Sequence, residues 1–208
     1  MMIKIINKLN FNICFMKKII LITLFFLVIS CERHERSHEE LSIQKQVVIK
    51  VFSSLTCPHC ANFHSKIINE IKNDYIDTNL VKYEHISFPL DLAALNAEKV
   101  LNCVNDKEKN FQFLSLLYEN QSKWASGGDI NTINSSIKKI GKEFGLRDKN
   151  MDECLNNENL QDQILDKRIN AQKTYKIDST PTIFINEKKY EGKHSYKLFK
   201  KELDKILK

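Results

Sequence analysis

The chain has 208 residues, of which 42% are hydrophobic and 28% charged. Its formal net charge of +6 includes Lys4, Lys8, Lys17 and Lys18, so residues 31–208 carry 28 basic and 26 acidic side chains, a net of +2. That balance gives no support to a nucleic-acid partner.

The N-terminal residues 1–30 hold those four lysines and no acidic residue, and Ile19–Ile29 is an apolar run broken only by Thr23. A basic start followed by such a run reads as a secretory signal, short for a membrane span. Met16-Lys17-Lys18 would serve as a start by itself. Val28-Ile29-Ser30-Cys31 resembles a bacterial lipobox, which implies cleavage before Cys31 and a lipid on its sulfur. The alternative is an ordinary signal peptide or an uncleaved anchor, with Cys31 incidental. Residues 31–46 are polar, have no core-forming face and read as a tether, with His34 and His38 as solvated linker residues. The folded domain is expected over 47–208, long enough for one good core.

Val47–Phe52 is a β-branched run that predicts a buried strand. Cys57-Pro58-His59-Cys60 follows, and then Ala61, His64, Ile67, Ile68 and Ile71 recur at helical spacing. Residues 79–88 alternate like a strand, and Pro89 ends it. From about 90 to 178 the pattern is helical. One helix carries Leu92, Leu95, Lys99 and Cys103; a second carries Phe111, Leu114 and Leu117 and ends near Trp124. Asp129 predicts the N-cap of a third, which holds Ile133, Ile137 and Ile140 and closes at Gly145. Two further helices are expected over 149–155 and 160–175. Thr182–Ile185 then reads as a buried strand, residues 186–188 as a turn and 189–191 as the returning strand; Leu198, Phe199, Leu203, Ile206 and Leu207 mark a closing amphipathic helix. The order βαβ, helices, ββα defines an α/β chain with a thioredoxin-type sheet and a helical domain inserted between its two halves.

Strand, CxxC and helix in that order give a redox motif. Cys57 falls at the helix N-terminus, where unpaired N–H groups and the helix dipole favour an anion, so a thiolate is expected there as the nucleophile. Cys60, one turn on, is the buried resolving partner. Pro58 suits the first helical position, where its missing N–H costs nothing. Half of a zinc site is the alternative, but a structural zinc needs four ligands and the chain has no second CxxC. Thr180-Pro181, where the insertion ends, is read as a cis peptide abutting the sulfurs and bordering a groove for an extended peptide. Of the remaining cysteines, Cys14 leaves with the signal, and Cys103 and Cys154 either form a structural disulfide or stand as separate buried thiols.

Residues 54–64, 120–124 and 180–186 together resemble the DsbA family of periplasmic thiol–disulfide oxidoreductases, over about 47–208. The resemblance implies that Cys57 is the exposed nucleophile, Cys60 the resolving cysteine and Pro181 a cis proline beside the substrate, with Pro58 and His59 setting how oxidising the pair is. It also implies a protein that introduces disulfides into unfolded exported proteins in the periplasm of a Gram-negative bacterium. Such a protein needs no cofactor or metal, is a monomer, and is reoxidised by a DsbB-type membrane oxidase. It is lipid-anchored, or soluble after signal cleavage. A disulfide isomerase or reductase of the same fold is the nearer alternative, and a lipoprotein binding metal through Cys57, Cys60 and His59 or His64 the more distant one. One position departs from the family: Val51 stands six residues before Cys57, where relatives often carry a buried glutamate.

Overall fold

The computed structural model describes residues 46–208. The signal segment, nearly all of the tether, Cys14, Cys31, His34 and His38 lie outside the described residues.

Strand β1 (Val47–Ser53) leads through a short loop into helix α1, which opens at Pro58–Phe63. The helix continues without a break through a π-helical turn at His64–Ile68, an α-helical stretch at Asn69–Ile71 and a second π turn at Lys72–Ile76. Strand β2 (Val81–Ser87) follows. The helical insertion comprises α2 (Leu92–Leu101), α3 (Lys107–Glu119), α4 (Gln121–Trp124), α5 (Ile130–Glu143), α6 (Asp148–Leu155) and α7 (Glu158–Tyr175). Strands β3 (Thr182–Ile185) and β4 (Lys188–Lys189) and helix α8 (Tyr196–Leu207) complete the chain. The sheet order is β2-β1-β3-β4, with β1 parallel to β2 and the other neighbours antiparallel.

Strand alternation sorts β1 between two cores. Val47, Ile49 and Val51 pack with Phe63, Ile67, Ile68 and Ile71 of α1 and with Phe199 and Leu203 of α8. Each such fully buried aliphatic side chain contributes about 1.5–3 kcal/mol. Phe52 turns to the opposite face, against Phe88, Ala171, Ile177 and Phe184. A third core fills the insertion around Phe113, Leu117, Trp124, Ile137 and Met151, and it includes both Cys57 and Cys60. The redox pair thus sits where the insertion meets the sheet.

Several expected boundaries shift. Strand β2 begins at Val81 rather than 79, because Asn79 takes a left-handed φ of 61° that turns the chain out of α1. Helix α2 stops at Leu101, and Cys103 lies in the turn beyond it, where its N–H bonds the carbonyl of Val100. The helix expected to run to Trp124 breaks at Asn120 into α3 and α4. The β3–β4 turn is tighter than expected: Asn186 and Glu187 both adopt positive φ, so β4 starts at Lys188. Gly145, with φ of 99°, does follow α5. Among the described residues no helix is long and apolar enough to cross a membrane.

Candidate active site

Cys57 is the N-cap of α1, in extended conformation, and Pro58 opens the helix. The Cys60 N–H, in the first turn, lies 3.4 Å from Cys57 Sγ and 3.1 Å from the Cys57 carbonyl oxygen. Both cysteines are in the dithiol state. The Cys57 thiol is held down to about 5, chiefly by its bond from the Cys60 thiol. The Thr180 side chain and the backbone N–H groups of Cys60 and His59 act in the same direction, against the effect of burial. The Cys60 thiol is pushed strongly upward by that same pairing and by burial. The two sulfurs therefore differ in kind: one is poised as a thiolate and leaving group, the other is a buried thiol.

Cys57 is only 6% exposed, less open than the resemblance to exposed nucleophiles implies, because Leu55 and the insertion core crowd it. Cys60 is 1% exposed, while Pro58 and His59 stand in solvent. The Thr180–Pro181 peptide is cis, and Cys57 Sγ lies 3.4 Å from the Thr180 carbonyl oxygen. Cys103 and Cys154 are joined as a disulfide that ties the turn after α2 to α6.

Residues that local patterns left unmarked complete the site. Gln121 Nε2 donates to the carbonyls of Leu55 at 2.8 Å and Cys57 at 3.1 Å, bracing the loop before α1 from the insertion. Asp91 caps α2 through the Ala94 N–H at 2.7 Å and accepts from Thr56 Oγ1 at 2.8 Å. Buried Glu98 bonds His85 and Ser87. Apart from the Asp91 cap these links join positions 11 to 66 residues apart, and only the run from Asp91 into the apolar positions of α2 carried a local signal, that of a helix cap.

His64 does not join the cysteines as a metal site. Its Nε2 meets Ser115 Oγ at 2.8 Å, and burial lowers its pKa to about 3, so the ring is neutral. Among the described residues no group of three or more His, Cys, Asp or Glu side chains could hold a metal ion. Val51 is buried against α1, and Lys50 beside it points to the other face of the sheet, where it pairs with Glu187 and lies over the Tyr175 ring.

A dithiol at a helix N-terminus beside a cis proline, on a sheet of this order, defines a thioredoxin-fold dithiol protein. Residues 44–205 match the family model described as Thioredoxin, and the chain belongs to that family, as a DsbA-like member. The crystal structure of Wolbachia pipientis alpha-DsbA1 is similar with a TM-score of 0.72 and 26% identity, over 79% of this chain and 87% of that one. Disulfide bond formation protein D of Bacillus subtilis is 28% identical over 78% of this chain and 73% of its own length. A Rickettsia prowazekii protein assigned as a protein-disulfide oxidoreductase is 29% identical over 79% of this chain, and the chain spans 59% of that relative's length.

Proposed function

We propose that the protein is a disulfide oxidase of the cell envelope, which introduces disulfides into exported proteins through a Cys57–Cys60 disulfide. The observation that carries this reading is the split between the two sulfurs: Cys57 is lowered to about 5 and Cys60 is raised. A stabilised thiolate stabilises the reduced form, which makes the disulfide an oxidant.

A substrate thiolate attacks Cys57 Sγ, the Cys57–Cys60 bond breaks, and Cys60 leaves and takes a proton. A second substrate thiolate then attacks the mixed disulfide, and Cys57 leaves as a thiolate. The substrate loses two electrons and the enzyme gains them, so a membrane oxidase of the DsbB type is the expected acceptor. Thr180 and Pro181 border the groove for the extended substrate, where Pro181 has no N–H to compete for the sulfur. His59, at the helix start, favours the thiolate. The similarity to the Bacillus subtilis disulfide bond formation protein supports this direction of exchange.

Periplasmic export through residues 1–30 and a lipid on Cys31 complete the reading, with the tether placing the enzyme at a membrane surface and the folded domain acting as a monomer. Metabolic labelling with a fatty acid, lost in Cys31→Ala, tests the anchor. Oxidation of reduced, unfolded ribonuclease by the oxidised protein, abolished in Cys57→Ala, tests the activity; an undiminished rate in that variant would sink the assignment.

A further inference from the structure

Residues 188–208, from β4 to the end of α8, carry eight basic and three acidic side chains, whereas residues 46–187 carry seventeen basic and nineteen acidic ones. The positive charge of the folded domain is therefore concentrated in its last two elements. Tyr190, just past β4, packs its ring on Phe199 of α8 at 4.3 Å and joins the two.

Within α8 the burial pattern sorts these charges. Phe199 and Leu203, four residues apart, are fully buried in the core between α1 and the sheet. Side chains on the opposite side of the helix must then face solvent. Lys197, Lys201, Lys205 and the C-terminal cap Lys208 recur there at spacings of four, four and three, and all four are exposed. Among the described residues none of the four pairs with an acid, while Lys200, off the stripe, takes Asp74 and Asp204. Asp204 is turned away, accepting from Tyr75 Oη at 2.5 Å. The row beside the stripe is Leu198, Glu202 and Ile206, and its two apolar members are 38% and 39% exposed.

A lysine-striped amphipathic helix with exposed apolar residues beside its charges has the make-up of a helix that lies on a membrane surface. The stripe runs about 16 Å at the rise of an α-helix. None of its lysines lines the grooves along β2 and beside Pro181. It offers a convex row of charge rather than a shaped cleft, which suits a plane of mobile anions better than a ligand that must be enclosed. Lysine stems lie over a neighbour such as Leu198 and still present their ammonium groups. The tether between Cys31 and Gln46 spans at most about 50 Å when fully extended. A lipid on Cys31 therefore keeps the stripe within reach of a bilayer, whose anionic headgroups attract lysines over a screening length of about 10 Å.

We propose that Lys197, Lys201, Lys205 and Lys208, with Leu198, seat the folded domain on an anionic phospholipid surface through the outer face of α8. The proposal deepens the membrane-surface reading given above and rests on it. The lipid holds the protein at the membrane, and the stripe decides which face of the domain meets it. Cys57 and Cys60 pack in the insertion core, not in the core beneath α8, so contact through the stripe does not cover the redox pair.

The test uses the full chain, as the cell processes it, reconstituted with vesicles of phosphatidylcholine alone or mixed with phosphatidylglycerol. Acetylation by a water-soluble reagent, read lysine by lysine by mass spectrometry, reports which face is covered. On the mixed vesicles the four stripe lysines are expected to react at least about fivefold more slowly than on neutral ones, the effect of about one lysine held at an anionic surface. Lys139 of α5 and Lys149 of α6, both exposed, should keep their rates. Raising the salt to about 1 M, where the screening length is about 3 Å, should remove the protection. In the triple variant K197Q/K201Q/K205Q, Lys208 should react equally on both vesicles, and oxidation of reduced ribonuclease in solution should match wild type, which shows that the variant is folded. Equal rates for wild type on the two vesicles overturn the proposal. Protection on neutral vesicles overturns it as apolar contact alone, protection without vesicles as pairing with a second copy, and even slowing of all lysines as crowding. Failure of the anchor is read separately, by flotation: the protein then leaves the neutral vesicles, while protection on the mixed ones still upholds the stripe and its absence there overturns it.

Discussion

Cys57 Sγ lies 3.4 Å from the carbonyl oxygen of Thr180, so the nucleophile and the segment that would pair with a substrate share one wall. The Thr180 side chain also helps hold the Cys57 thiol low. Thr180→Val keeps the shape and removes the hydroxyl. It is expected to raise the Cys57 pKa by up to about one unit and to make the pair less oxidising, in keeping with a charge-assisted hydrogen bond lost. Thiolate absorbance against pH reads the change; a Cys57 titration identical to wild type would remove Thr180 from the set of tuning groups.

The low Cys57 pKa sets a pH dependence of stability with a definite sign. A thiol depressed in the folded protein stabilises the reduced fold fully above its unfolded pKa, and that stabilisation is lost as pH falls through about 5. The oxidised protein carries no such thiolate. Reduced protein should therefore melt at a higher temperature than oxidised protein at pH 7, with the gap shrinking as pH approaches about 5. Melting both forms across that range checks it, and a gap independent of pH would contradict the thiolate as its source.

Gln121 braces the active-site loop from the insertion. Gln121→Ala leaves the carbonyls of Leu55 and Cys57 without those donors, at an expected cost of about 1–3 kcal/mol. Faster amide exchange at residues 55–60 should accompany it. Denaturant unfolding unchanged from wild type would show that solvent replaces the amide fully.

The Cys103–Cys154 bridge closes a loop with a sequence separation of 51. Replacing both cysteines by alanine should cost about 4 kcal/mol in the chain-entropy account and lower Tm by about 10 °C. The Cys57 titration should stay in place, since neither residue is among the groups that set it. Calorimetry and thiolate absorbance on the same variant separate the two effects.

The sheet, the CxxC helix and the Thr180-Pro181 landmark were legible because each rests on local chemistry: β-branched runs, helical spacing, and a proline at a strand head. The Glu98–His85–Ser87 network was not. His85 and Ser87 alternate onto one strand face, but nothing local distinguishes that from a solvated edge, and their partner Glu98 comes from helix α2. The two π turns of α1 were equally hidden, since Ile67, Ile68 and Ile71 also fit a regular α-helix. Gln121 lay in a segment that carried the family resemblance but gave it no role of its own, and only the docking of α4 against the active-site loop gives its amide a purpose.

The central claim is that Cys57–Cys60 acts as a disulfide donor, and its redox equilibrium against glutathione tests that most directly. The account predicts a reduction potential less negative than the glutaredoxin range of about −200 to −230 mV. A value within that range or more negative would contradict it and favour a reductase or isomerase built on the same fold.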